Sequence, residues 1–402
     1  MYDLGRRPAN YTPFVLGILS AVIVVVVVQL LLRGVPQPQV TVTFPASSPL
    51  GEARQPKLPE AGSSIVAVDG LGTLGTAGPV EPRPIASITK MMTAYVILKS
   101  HPLQAGQSGP VIELTARDAQ RWLEMLAQDQ SSLPVTAGQR LTQLQLLQGL
   151  LVPSANNYAE ILANWDAGSI SAFVQKMNAE AQTLGMKDTR YADTSGFSAA
   201  SVSTPADQLI LARAVMADPI FASIVRLEQV AIPGVGTVSA VNQLLGVDGV
   251  IGIKTGFTEQ AGGNLAFAAK HDAAGAEVSV YGIVLGQETR PEAFSVTRTL
   301  LASLDGNLEF KRVMTSGQPI ATVETDWGVS VDLIVNEDVQ LLAWPGLVMT
   351  TTVELDAFSA PKSAGDQVGW VNVVLGEQAR RLPLVLAKDL NGPGLPWRLR
   401  RF

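Results

Sequence analysis

Three short clusters in this 402-residue chain bring hydroxyl, amine and amide side chains together in a way that suits acyl transfer. The first is Ser87-Ile88-Thr89-Lys90, at the head of Met91–Leu98, an almost wholly apolar run of helix formers that reads as a buried helix. A cation in the opening turn of such a helix opposes its macrodipole, and a capping box would place Glu or Gln there. Residues three apart share a helix face, so the Lys90 amine can reach the Ser87 hydroxyl. Serine is a poor nucleophile until a base takes its proton, and a lysine held in an apolar wall has its charged form disfavoured. The awkward placement therefore suits a Ser–Lys pair. Taken by itself the tetrapeptide has a plainer reading too, with Ser87 as a helix cap and Lys90 as a snorkelling side chain.

The second cluster is Ser154-Ala155-Asn156, just after Pro153 interrupts the helical spacing of Leu144, Leu147 and Leu151. That break lets its side chains face a cleft. The third, Lys254-Thr255-Gly256, follows the β-branched "GVIGI", where Gly256 lets a substrate approach the strand backbone. Singly these are a helix cap and a strand end entering a turn. As an ordered set, S-x-x-K, S-x-N and K-T-G resemble the motif triple of penicillin-binding proteins and class A β-lactamases, which carry Asp in the middle motif.

The elements that must position these clusters follow from periodicity. "NNYAEILANW" and "ISAFVQKMNAEAQTLGM" read as two more helices, "GVIGIKTGF" as a strand, and "NLAFAAK" with "EVSVYGIVLG" as a hairpin turning near His271–Gly275. Helices among strands of one antiparallel sheet give an α+β domain. After about Leu308 come short alternating segments separated by Gly, Pro, Asp or Asn, an all-β domain with a small sandwich as the expected form. At the other end, Phe14–Leu32 is long and apolar enough for a transmembrane anchor, and Arg6 and Arg7 before it favour a cytoplasmic N-terminus. A cleaved signal peptide is the alternative, but no A-x-A-like site follows. Gly34–Gly62, rich in Pro, Ser and Gly, reads as a flexible linker. The expected domains are residues 1–33 (tail and anchor), 34–62 (linker), 63–308 (catalytic) and 309–402 (β-rich).

Composition narrows the chemistry. With 47% hydrophobic and 16% charged residues the chain is globular, and a net charge of −6 offers no basic stripe for nucleic acid. Without cysteine, thiolate catalysis and Cys-ligated zinc are excluded. The two histidines, His101 and His271, read as surface residues, which leaves neither a Ser–His–Asp triad nor a His-ligated metal. No metal or cofactor is expected.

Together the motifs make the chain resemble the serine D-alanyl-D-alanine carboxypeptidases, which are low-molecular-mass penicillin-binding proteins. The likeness includes "PIASITKMMTAYVIL", "LLQGLLVPSANNYAEILA", "FVQKMNAEAQTLGMKDT", "STPADQLILARAVM" and "GIKTGFTEQAGGNLAFAA", and the tail "SAPKSAGDQVGWVNV". The resemblance implies a penicillin-binding, serine β-lactamase-like transpeptidase domain, with a small β-rich domain after it. It also implies roles. Ser87 would be the acylated nucleophile, Lys90 its base, and Ser154 a proton relay to the leaving amine. Asn156 would bind the substrate amide. Lys254, Thr255 and Arg290 would address the terminal carboxylate, with Gly256 on the strand beside it. The Ser87 and Phe257 N–H groups would form an oxyanion hole. Implied partners are peptidoglycan stem peptides and β-lactam antibiotics as covalent inhibitors; the membrane is expected as a partner through the N-terminal helix.

Some positions depart from the family. Asn157 stands where Asp is common, "ADTSGF" lacks a His often found before its glycine, and "LPWRLRRF" is too short for the usual C-terminal amphipathic anchor, although Trp397 and its arginines could touch anionic headgroups. Other readings of the same fold are a D,D-endopeptidase and a serine β-lactamase, for which Glu160 and Asn164 imitate a deacylating motif. A catalytically silent wall-binding protein is a further alternative.

Overall fold

The strand expected around Lys254 spans Val250–Thr258 and forms one edge of a five-stranded antiparallel sheet. The coordinates come from a computed structural model and describe residues 11–400. Across the sheet the order is Val250–Thr258, Gly262–Ala273, Ala276–Gln287, Ser63–Val68 and Gly72–Ala77. The second and third strands form a hairpin closed by Ala274 (φ +53°) and Gly275 (φ +95°), and two positive φ values make the type I′ turn that matches strand twist. His271 is thus inside a strand and only 9% exposed, its Nε2 lying 3.5 Å from Asp305 Oδ1. The expected surface histidine is buried because the turn is two residues long.

Side chains alternate across this sheet, and both faces are covered. Ile253, Ala266, Ala268, Ile283 and Leu285 pack with Ile88, Met91 and Met92 on one face. Leu265, Phe267, Val280 and Val284 pack with Ala293, Phe294 and Leu300 on the other. The helix Lys90–Ser100 is buried along nearly its whole length, as an all-round apolar sequence requires. Thr142 and Gln145 form a capping box that starts the helix Gln143–Leu151. The helix Asn156–Ala167 ends on Gly168 in the left-handed region. These elements belong to a unit of Pro49–Phe310 plus Leu342–Leu347.

The other unit comprises the residues up to Ser48, Lys311–Leu341 and Val348 onward. Its seven-stranded sheet runs Gln39–Val42, Pro319–Glu324, Ser330–Ile334, Gln378–Leu386, Gln367–Leu375, Val348–Leu355 and Ser47–Pro49. Two of these strands come from the expected linker, which is therefore not a free spacer. Gln39–Val42 pairs antiparallel with Pro319–Glu324 because "QVTV", for all its flanking prolines, has strand alternation. Residues 50–62 of that segment belong to the first unit, where Arg54 Nη1 donates to Asn307 Oδ1 at 2.8 Å and Pro56 is buried.

The apolar helix spans Thr12–Leu32 and is long and apolar enough to cross a membrane. Arg6 and Arg7, on which the orientation rests, lie outside the described residues.

Candidate active site

Ser87 sits in a 3₁₀ turn, Ala86–Thr89, that runs straight into the helix beginning at Lys90. In a 3₁₀ turn residues i and i+3 eclipse, which stacks the lysine over the serine. Lys90 Nζ donates to Ser87 Oγ at 2.7 Å. It also donates to Asn156 Oδ1 at 2.6 Å and to the Ser195 carbonyl at 3.1 Å. Lys90 is fully buried, and burial brings its pKa down to about 7 against an opposing pull from Asp193. An amine of that pKa is partly neutral near neutrality, when it can accept the serine proton. Directly before the nucleophile, Ala86 has φ +47°, a left-handed conformation that costs a non-glycine residue about 1–2 kcal/mol.

The middle cluster is built on the break between two helices. Gln143–Leu151 ends, Pro153 prevents continuation, and Ser154 turns the chain at φ +70°. Asn156 opens the next helix, is 4% exposed, and donates from Nδ2 to Gln130 Oε1 at 2.8 Å. Its amide oxygen is thereby aimed at Lys90. Ser154, two residues earlier, is equally buried. Asn157 points away from this contact and braces a loop instead. Its Oδ1 accepts from Leu133 N–H at 3.1 Å and its Nδ2 donates to Leu133 O at 2.7 Å. An aspartate cannot make the second bond, which gives a physical reason for amide over acid at this position.

The edge strand supplies the third wall. Lys254 is 2% exposed, its Nζ donating to the Thr255 carbonyl at 2.9 Å. Burial, then Lys90, then Arg290 hold its pKa well below the ordinary lysine range. At Gly256 a Cβ would stand 2.9 Å from Ile85 O and 3.0 Å from Ser87 N, so this strand passes against the nucleophile's own backbone. Phe257 is exposed, and the Arg290 guanidinium lies 5.8 Å from its ring centre. Arg290 opens the helix Arg290–Ala302 with a buried, unbonded Nε, and desolvation lowers its pKa. All nine sequence-derived positions thus fall on three neighbouring segments and one helix start.

Sequence reasoning missed the residues that brace this constellation. Gln130 holds Asn156, and the turn Asp193–Ser198 brings the Ser195 carbonyl to Lys90. The departure at "ADTSGF" was the only signal, and it did not say what the turn touches. Glu160 is committed elsewhere, accepting from Arg121 Nε at 2.9 Å and Nη2 at 3.0 Å. That pairing leaves it unsuited to activating a deacylating water. His101 lies beside Trp165, with Nε2 3.0 Å from Asp166 Oδ1. Among the described residues no group of three or more His, Cys, Asp or Glu is arranged to hold a metal ion.

Similarity to known proteins agrees with this geometry. The chain is 27% identical over 322 residues to D-alanyl-D-alanine carboxypeptidase DacA of Escherichia coli (strain K12), covering 77% of this chain and 78% of that one. It is 34% identical over 169 residues to a D-alanyl-D-alanine endopeptidase of Pseudomonas aeruginosa, covering 41% of this chain and 51% of that protein. The crystal structure of D-alanyl-D-alanine carboxypeptidase DacD from Francisella tularensis shares the fold, with a TM-score of 0.60 at 20% identity over 84% of this chain and 96% of that one. The sequence profile of one family, described as D-alanyl-D-alanine carboxypeptidase, matches residues 56–289, which take in all three motifs; the chain belongs to that family.

Proposed function

We propose that the protein is a membrane-anchored serine D,D-carboxypeptidase that removes the terminal D-Ala of peptidoglycan stem peptides through an acyl-enzyme on Ser87. The observation that carries this reading is the 2.7 Å contact between a fully buried Lys90 amine and the Ser87 hydroxyl. Neutral Lys90 takes the hydroxyl proton as Ser87 Oγ attacks the penultimate D-Ala carbonyl carbon. The backbone N–H groups of Ser87 and Phe257 hold the oxyanion. As the peptide C–N bond breaks, Ser154 passes a proton to the leaving D-Ala amine. Water then cleaves the ester and restores the Ser87 hydroxyl.

Asn156 holds the substrate's peptide amide, while Lys254, Thr255 and Arg290 receive its terminal carboxylate. The open edge of Val250–Thr258 suits an extended stem peptide, which can add to the sheet as a further strand. The apolar helix is the anchor, and the Arg6–Arg7 pair supports a cytoplasmic N-terminus with the catalytic unit outside. A β-lactam, whose strained amide imitates the scissile bond, acylates the same serine.

Endopeptidase cleavage of cross-linked peptides is the second reading. The similarity to the Pseudomonas aeruginosa endopeptidase favours it, although the chain spans about half of that protein.

The test is an intact-mass time course of the full chain in detergent with benzylpenicillin, run beside Ser87→Ala, together with D-Ala release from a D-Ala-D-Ala peptide. A long-lived one-to-one adduct and D-Ala release, both absent from the variant, are expected. Equal release by Ser87→Ala refutes the assignment. Rapid repeated drug turnover makes it a β-lactamase, and no adduct on folded protein makes it a silent wall-binding module.

A further inference from the structure

Lys90 donates to three acceptors, and the third belongs to a segment outside the three motifs. The Ser195 carbonyl, 3.1 Å from Nζ, lies in a turn organised around one carboxylate. Asp193 Oδ2 accepts from Ser195 Oγ at 3.0 Å, from Phe197 N–H at 2.9 Å and from Ser198 N–H at 3.4 Å. Its Oδ1 accepts from Ser201 Oγ at 2.5 Å, and that oxygen in turn accepts from the N–H groups of Ala192 and Asp193. The turn is pressed onto the nucleophile's backbone at Gly196, where a Cβ would stand 1.8 Å from Ala86 O.

We propose that Asp193 is a positioning residue for acylation: its carboxylate ties the Asp193–Ser198 turn against the Ser87 turn and supplies the negative charge that Lys90 meets from that side. The proposal rests on Ser87 and Lys90 being the acylating pair.

The groups around Lys90 make the charge matter. Its own turn presents the neutral Ser87 hydroxyl, and the helix after Pro153 presents the neutral Asn156 amide. The edge strand presents Lys254, a like charge when protonated, with Arg290 beyond it. Burial favours a neutral amine, whose weakness as a base would slow proton removal from serine. Asp193 opposes it, raising the affinity of Lys90 for its proton. The carboxylate is spared full desolvation cost because it accepts from two hydroxyls and two backbone N–H groups.

The experiment is the second-order rate of acylation of the full chain in detergent by benzylpenicillin, followed from about pH 5 to about pH 9, where a base near neutrality shows its acid limb. Asp193→Asn should move that limb to lower pH by about half a unit or more, since a carboxylate has ceased to favour the ammonium. Its plateau rate should fall as the base weakens. Asp193→Ser is a second neutral variant should the amide disturb the turn. Ser201→Ala removes a hydroxyl bound to the same carboxylate and keeps the charge, so it should lower the melting temperature and leave the limb in place. A folded neutral variant whose limb is unmoved, or moved upward, overturns the proposal. A limb displaced equally in Ser201→Ala also overturns it, because the charge would then not be the cause. If wild type itself is not acylated on Ser87, the underlying reading has failed rather than the role of Asp193.

Discussion

Gly196→Ala tests whether the Asp193–Ser198 turn and the nucleophile turn are locked together. Gly196 has φ +80°, which an alanine adopts only at a cost of about 1–2 kcal/mol. Its new Cβ would lie 1.8 Å from Ala86 O, 2.4 Å from Ala86 C and 2.6 Å from Thr89 Oγ1. Two of those atoms are backbone, so no side-chain rotation relieves the overlap. Restoring a contact of 3.4 Å requires a displacement of about 1.6 Å. Forcing such a shift in a packed interior costs a further 1–3 kcal/mol or so. Against a domain stability of about 5–15 kcal/mol the variant should fold, with a lower melting temperature. Acylation should suffer more. Whether the turn lifts or Ala86 retreats, the 3.1 Å contact from Lys90 to Ser195 O opens. Misplacement of about 1 Å costs reactions of this kind around a hundredfold. A fluorescent penicillin captured over time reads the rate, and scanning calorimetry reads the stability. Wild-type acylation at wild-type melting temperature would refute the reasoning, since the two turns could not then be in contact.

Two further outcomes follow from the same site. Asn157→Asp exchanges the amide that donates to Leu133 O for a buried acid facing that carbonyl, and should lower stability by about 2–4 kcal/mol, measured by chemical denaturation. On the proposed role of Lys254, a substrate carboxylate beside it should raise a pKa now held well below the ordinary range, so binding should take up a proton and tighten as pH falls. Calorimetric binding of a D-Ala-D-Ala peptide to Ser87→Ala in buffers of different ionisation enthalpy measures the uptake, and none at any pH would exclude this coupling.

The chemistry of the site was more legible in the sequence than its support. Ser87 and Lys90 were visible because a lysine in the first turn of a core helix violates helix electrostatics. Ser154 and Asn156 stood out at a proline break, and Gly256 at the end of an apolar strand. Such signals are local in sequence. Gln130 bonds Asn156 across a gap in the chain, and the Asp193–Ser198 turn meets Lys90 far from its own position, so the altered "ADTSGF" marked the turn without showing what it touches. The strand Gln39–Val42 was hidden for another reason: its flanking prolines and glutamines dominate the composition, while its pairing is specified by Pro319–Glu324 at the far end of the chain. His271 was misjudged by the placement of a turn, which a shift of a few residues carried from surface to interior.

That Gln39–Val42 strand also limits where the enzyme can work and where it can be cut. Only Arg33–Pro38 separate it from the apolar helix, and six extended residues reach about 20 Å. With the helix in a bilayer, the β-rich sheet is leashed within that height of the headgroups and cannot range freely through the wall. Soluble forms have the same boundary. Cleavage within Arg33–Pro38 leaves the sheet whole, whereas a cut after Val42 removes an edge strand and bares the hydrogen-bonding groups of Pro319–Glu324 to self-association.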